Sequence, residues 1–252
     1  MILKNNAKKI LFKTASILFW IGVWYVIVTA VNPSLFIKIP TPLDTVKALF
    51  ENLKTDVFWS AVGSSLLHIT VGFVSACVLG LVFGMLSGSF KAFGTLTSPI
   101  VHLIRSVPVA AFIILAWLWV ETALLPAVIS FLMVLPVIWS AVEQATASTD
   151  KKLLEAMRVL GLSKIKTMFH VKLYGILPAF RAAVISGLGY AWKAGVAAEV
   201  ICNPTGSIGA LLSGAKQDLD YSQVFAVTLA IVLLSLLIEN IIKLVWREKK
   251  YD

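Results

Sequence analysis

Arg105, Lys193 and Glu199 fall inside stretches of the chain that are otherwise apolar. An ionisable side chain at such depth is costly, and it is kept for pairing, for snorkelling to an interface or for handling a charged solute. Arg105 lies about six residues into its stretch, roughly 9 Å at the helical rise, which lets it snorkel to nearby headgroups. Lys193 lies about eight residues from the end of its helix. It either snorkels outward or lines a pathway, where it would attract an anion. Lys193 and Glu199 are separated by about 240° around one helix, so they do not pair with each other within it. The other reactive residues do not gather. His68 and His102 are lone histidines that read as packed or interfacial side chains. Cys77 and Cys202 show neither metal-ligand spacing nor a disulfide framework. No Gly-x-x-x-x-Gly-Lys-Ser/Thr run occurs, so no nucleotide site is expected in this chain. No catalytic constellation, metal site or cofactor is expected either.

The elements that must position these residues follow from composition. The chain has 252 residues, 59% hydrophobic and 14% charged, against about a quarter charged in soluble domains. Apolar segments run over about 15–31, 61–86, 99–120, 123–143, 176–201 and 223–245, each near the length of about 20 residues that a membrane helix needs. The expected fold is all-α: a polytopic membrane protein of six transmembrane helices in one domain across 1–252. The first segment reads as a retained anchor and not as a signal peptide, because Trp20, Trp24 and Tyr25 lie inside it and the run from Thr29 to Pro33 is a poor cleavage site.

Charge placement sets an orientation. Of the 22 Lys and Arg residues, only Lys38, Lys47, Lys54 and Lys216 fall on one side, Arg105 and Lys193 lie within spans, and the rest fall on the other side. The positive-inside rule then puts both termini in the cytoplasm. It also accounts for the net charge of +9 without any nucleic acid. The outer segment after Ile39-Pro40-Thr41-Pro42 carries Val46, Leu49, Phe50 and Leu53 at helical spacing. That pattern predicts a short amphipathic helix, with Pro42 in its first turn.

Two lines of small residues predict close helix packing, Gly72, Ala76, Gly80, Gly84 and Gly88 in the second span and Ala183, Gly187, Ala191 and Gly195 in the fifth. Lipid supplies no hydrophobic drive between helices, so close backbone approach must supply van der Waals contact. Proline interrupts the third and fourth spans at Pro108, Pro126 and Pro136, and Arg105-Ser106-Val107-Pro108 reads as either a hinge or a structural kink.

Between the fourth and fifth spans lies a polar, basic loop over about 144–175. Asp150 can cap a helix through Leu160, Gly161 offers the left-handed residue that ends it, and Ser163 can cap a second helix to about Val171. Pro178 marks entry to the fifth span. Two short helices at an angle would present a knob to a soluble partner.

Glu155-Ala156-Met157, three further residues, Gly161, and later Leu177-Pro178 resemble the EAA loop of binding-protein-dependent ABC importer permeases. The chain departs from that pattern in having Met157 for the second Ala and in the later position of Leu-Pro. Ile39-Pro40-Thr41-Pro42, Arg105-Ser106-Val107-Pro108 and Ala191-Trp192-Lys193…Ala198-Glu199 resemble the nitrate, sulfonate and taurine branch of the same family. The resemblance implies a transport subunit in the cell membrane and not an enzyme. It further implies a second permease copy as a homodimer, two separate ABC ATPase subunits, and an extracytoplasmic substrate-binding protein. Glu155, Ala156, Met157, Gly161, Leu162 and Ser163 would then form the ATPase-coupling loop. The substrate implied is a small anion such as a sulfonate, taurine or nitrate, or a vitamin-precursor-like molecule. The rival class is a secondary transporter or channel without an ATPase, which would usually place coupling carboxylates at the midplane and show an internal repeat.

Overall fold

A computed structural model describes residues 2–31, 39–149, 155, 159, 161 and 173–245. Among the described residues the helices are α1 (Ile2–Val31), α2 (Pro42–Asn52), α3 (Asp56–Ser89), α4 (Lys91–Ser106), α5 (Val109–Trp117), a single 3-10 turn (Thr122–Leu124), α6 (Leu125–Ala147), α7 (Leu173–Cys202), α8 (Ile208–Gln217) and α9 (Tyr221–Val245). No strand occurs among them. Five helices are long and apolar enough to cross a membrane, and the pair α4 and α5 makes a sixth if it is one broken span. The chain is therefore an all-α polytopic membrane protein. The expected helices of the loop over 144–175 lie largely outside the described residues, as do Ala156, Met157, Leu162 and Ser163.

Contacts divide the chain into two compact units, Met1–Trp59 with Leu211–Val232, and Ser60–Ala210 with Leu233–Asp252. In the first, Trp24 of α1 stacks on Phe225 of α9 at 5.8 Å between ring centroids. Asn52 donates to the Gln223 side chain at 2.7 Å. The predicted outer helix is α2, started by a capping box in which Thr41 accepts from the Asp44 amide and Asp44 accepts from the Thr41 amide. Its buried face, however, is Thr45 and Ala48. Of the apolar stripe, Val46 and Phe50 stand exposed beside Leu43, whereas Leu49 and Leu53 are half-buried.

In the second unit the small-residue lines do the packing predicted of them. A Cβ on Gly72 would collide with the Ala127 carbonyl of α6, and one on Gly84 would lie 2.7 Å from the Trp139 carbonyl. Ala76 is fully buried between them. Backbones at this distance leave no room for a larger side chain, so the line runs along the α3–α6 seam. On α7, Ser130 of α6 donates to the Ala191 carbonyl at 2.9 Å, and Gly195 faces Ile69 and Ser130. Ile113 of α5, Leu125 and Ile129 of α6, and Ala194, Ala198 and Cys202 of α7 form one buried cluster.

The prolines differ in effect. Pro126 lies in the first turn of α6, where a missing N–H costs nothing, so it does not interrupt that span. Pro136 is carried inside α6 and Pro178 inside α7, so Pro178 does not mark the start of its helix. Pro108 ends one helix and starts the next. The expected single span over 99–120 is instead two helices bent by 102°. Helix α8 was not anticipated from the sequence.

Candidate functional site

The break at Pro108 has a local cause. Val107, the residue before proline, is extended at φ −81° and ψ 129°, as the clash with the proline ring demands. Its own N–H still closes α4 on Leu103, whereas Pro108 has no N–H with which to continue the ladder. The Pro108 carbonyl instead accepts from Ala111 and Phe112, and α5 begins. Pro108 gives α5 no side-chain cap, so the positive end of that short helix is left open at Val109.

Against this break lies a cavity of about 420 Å³, lined by Ile104, Arg105, Val107, Val109, Met133, Pro136, Val137, Tyr190, Lys193 and Ala194. Both in-span cations predicted from the sequence therefore share one wall space, although they come from different helices. Arg105, in the last turn of α4, donates to the Ser140 hydroxyl of α6 at 3.2 Å and so turns toward the neighbouring helix. That single bond uses one of the five guanidinium donors. Lys193 is exposed on α7, and Tyr190 precedes it by one helical turn on the same face. None of the lining residues carries a carboxylate. The arrangement is two cations, one phenol and an otherwise apolar wall, a surface suited to holding an anion.

Glu199 does not join them. It is fully buried on the other side of α7, where its Oε2 accepts from Ser65 at 2.9 Å and from the Gly209 amide at 3.1 Å. Ser65 in turn accepts from the Ile208 amide at 2.9 Å. Ser65, Glu199 and Ser207, which accepts from the Ala210 amide at 3.1 Å, thus satisfy the first open donors of α8. Oε1 of Glu199 has no hydrogen-bond partner among the described residues.

In the polar loop, Glu155 is exposed, and Gly161 has φ +71° with nothing within 4 Å of a would-be Cβ. The left-handed conformation read from the sequence is present at Gly161. His68 bonds locally, to the Ser64 carbonyl at 2.9 Å. Among the described residues no group of three His, Cys, Asp or Glu could hold a metal ion. Ser65, Ser140 and Tyr190 were missed by sequence reading. Tyr190 carried a signal, its spacing from Lys193, but the two serines act across 134 and 35 residues of chain.

Residues 78–250 match the family described as the binding-protein-dependent transport system inner membrane component. The chain belongs to this family. Among similar proteins, the nitrate import permease protein NrtB of Synechocystis is 29% identical over 71% of the chain, which covers 65% of that protein's length. The taurine transport system permease protein TauC of Escherichia coli is 26% identical over 86% of the chain and 80% of its own length. The bicarbonate transport system permease protein CmpB of Synechococcus elongatus is 24% identical over 75% of the chain and 68% of its own length. The family match takes in Arg105, Lys193, Glu199 and the loop from Glu155 to Gly161. The resemblance stated from sequence motifs is thereby borne out, down to the nitrate and taurine branch. Helices α1 and α2 and the part of α3 carrying Ser65 lie outside the matched residues.

Proposed function

We propose that this inner membrane component is the transport subunit of an ABC importer. Two copies of the chain form the pathway, and a separate ATPase docks on each. An external binding protein delivers a small anion, or a vitamin-precursor-like molecule, from above. Both termini face the cytoplasm of a bacterial cell membrane, which puts the 144–175 loop on the ATPase side. In this reading Glu155, Ala156, Met157, Gly161, Leu162 and Ser163 form the coupling segment, and ATP-driven movement of that segment is passed to α6 and α7. Arg105 and Lys193 face the travelling anion. Glu199 is a structural residue that holds the start of α8.

The observation that carries the proposal is the family match over 78–250, which contains both the cavity cations and the loop. Further support comes from the names of the relatives, which are permeases for nitrate, taurine and bicarbonate. The test is uptake into proteoliposomes holding the chain and its cognate ATPase, with the binding protein outside. Uptake that requires ATP in the compartment bearing the loop supports the proposal. Transport by the chain alone without ATP refutes it and favours a secondary transporter.

A further inference from the structure

We propose that the corner between α3 and α4 holds the headgroup of a membrane phospholipid, and that it selects phosphoethanolamine over choline and glycerol headgroups. The site rests on the orientation proposed above only in placing that lipid in the cytoplasmic leaflet.

A cavity of about 540 Å³ lies at this corner, and its lining includes Lys91, Ser98, Pro99 and Glu143. Helix α3 ends at Ser89, α4 begins at Lys91 and α6 ends at Ala147, so three apolar membrane segments start or stop beside the cavity. That is the level at which a bilayer presents its headgroups. The space has room for roughly 18 waters at about 30 Å³ each, and so for a phosphoethanolamine group.

Charge sets the ligand class. Lys91 is the one cation and Glu143 the one acid among the described lining residues. No ion pair or hydrogen bond joins either side chain to another described residue. Glu143, from α6, brings its Oε1 to 3.3 Å from the position of a Cβ on Gly94. Gly94 follows Lys91 by three residues, about 4.5 Å along α4. The two charges thus flank one short stretch of helix. A lone anion there meets Glu143 as well as Lys91, and a lone cation meets the reverse. A zwitterion with a short link satisfies both charges at once. The carboxylate accepts hydrogen bonds, so an ammonium with N–H donors is favoured over a quaternary one that has none. Ser98, two turns on from Lys91 along the same face, adds a hydroxyl for the phosphate.

The surroundings point to a lipid and not to a free solute. Pro99 is exposed at the edge of the cavity. Beyond it around α4 come Leu96, Ile100 and Leu103, all well exposed. A lipid-facing surface therefore runs up to the cavity, and a headgroup can enter while its chains stay in the bilayer. Held between Lys91 and Glu143, that headgroup ties the start of α4 to the last turns of α6, from which the polar loop departs.

The test adds phosphatidylethanolamine, phosphatidylcholine and phosphatidylglycerol of identical chains, in equal amounts, to the delipidated chain with its ATPase in detergent. Native mass spectrometry then measures the lipid retained. The expected result is retention of the ethanolamine lipid in preference to both others, with no displacement by free phosphoethanolamine at equal concentration. Both charges are solvated, so each contact contributes modestly. Glu143→Gln should lower retention of the ethanolamine lipid about two- to fivefold and leave the glycerol lipid unchanged or raised. Lys91→Gln should lower both. Equal retention of the three lipids by the wild type, or a Glu143→Gln protein with the wild-type order of preference, overturns the site. Displacement by free phosphoethanolamine makes it a site for a soluble zwitterion and overturns the lipid assignment. The wild-type comparison needs no variant, and Lys91 is exposed, so its replacement disturbs no packing. If headgroup preference is missing while the ATPase is retained, only the site falls. If no ATPase accompanies the chain, the importer reading falls, and the same titration on the chain alone still judges the site.

Discussion

The hydroxyl of Ser65 on α3 lies 2.9 Å from Oε2 of Glu199 on α7, and the same hydroxyl oxygen receives the Ile208 amide. One carboxylate and one serine thus tie two membrane helices to the first turn of α8, with Gly209 adding a further donor to Glu199.

Removing the carboxylate should strand those donors. In Glu199→Ala the Ser65 hydroxyl and the Gly209 amide lose a buried acceptor, at about 1–3 kcal/mol for each group left unsatisfied. Glu199→Gln keeps an oxygen that accepts from both. Thermal unfolding in detergent should show a large fall in Tm for the Ala variant and a smaller one for Gln. Equal falls would mean that the site contributes through packing volume alone.

The α3–α6 seam gives a sharper contrast within one helix. Gly84→Leu places a side chain against the Trp139 carbonyl and Val142, an overpacking that costs about 1–3 kcal/mol or more where backbone must move. At Gly63, also in α3, an added Cβ meets nothing within 4 Å. Gly63→Ala should therefore be neutral or slightly stabilising, since Ala is favoured over Gly in helices by about 1 kcal/mol. The two variants should separate clearly in the yield of monodisperse protein and in Tm.

Outside the membrane, Asp44 makes the start of α2 sensitive to acid. Hydrogen bonds from the Thr41 side chain and backbone hold its carboxyl below the ordinary value of 3.8, with help from Lys47 and against a small opposing effect of burial. A depressed carboxyl contributes stability that is fully present above the unfolded value and is lost as pH falls through the folded one. The protection of amides at the start of α2, taken relative to the intrinsic exchange rate at each pH, should thus be unchanged from neutral pH down to about 4 and should fall below it. Thr41→Val should give faster exchange already at neutral pH. An α2 whose protection is the same in both proteins at all pH values would contradict the capping assignment.

The legible part of this structure was local. The spacing of Gly72, Ala76, Gly80, Gly84 and Gly88 identified the packed face of α3, because small residues at one helical face have that use in lipid. Thr41 and Pro42 announced the start of α2 for an equally local reason. Pro108 marked a discontinuity, but a proline alone does not distinguish a kink from a break of 102°. That difference is decided by what the following helix packs on, here the cluster around Ile113, Leu125 and Ala198. The burial of Thr45 and Ala48 in α2 was illegible for a related reason: an apolar stripe shows which face is greasy, and not which face protein covers. Helix α8 carries a local signal in Ser207, which accepts from the Ala210 amide at 3.1 Å, but the cap at Ile208 comes from Ser65, far away in the chain. The convergence of Arg105 and Lys193 on one cavity is likewise a tertiary fact. Each residue was singled out by its cost in an apolar segment, and only the fold brings them together.

The central claim, that this chain works with an ATPase through its polar loop, turns on Gly161. A β-branched residue at φ +71° is strained by about 1–2 kcal/mol, and because no atom lies within 4 Å of the added Cβ, the strain stays in the loop. The decisive measurement is affinity purification of the tagged chain in mild detergent, wild type beside Gly161→Val, with the copurifying proteins identified and quantified. The account predicts a stoichiometric ATPase with the wild type, and a variant that inserts and purifies normally but retains the ATPase weakly or not at all. A wild-type chain that purifies without any ATPase, or a variant that holds it as tightly as wild type, would contradict it.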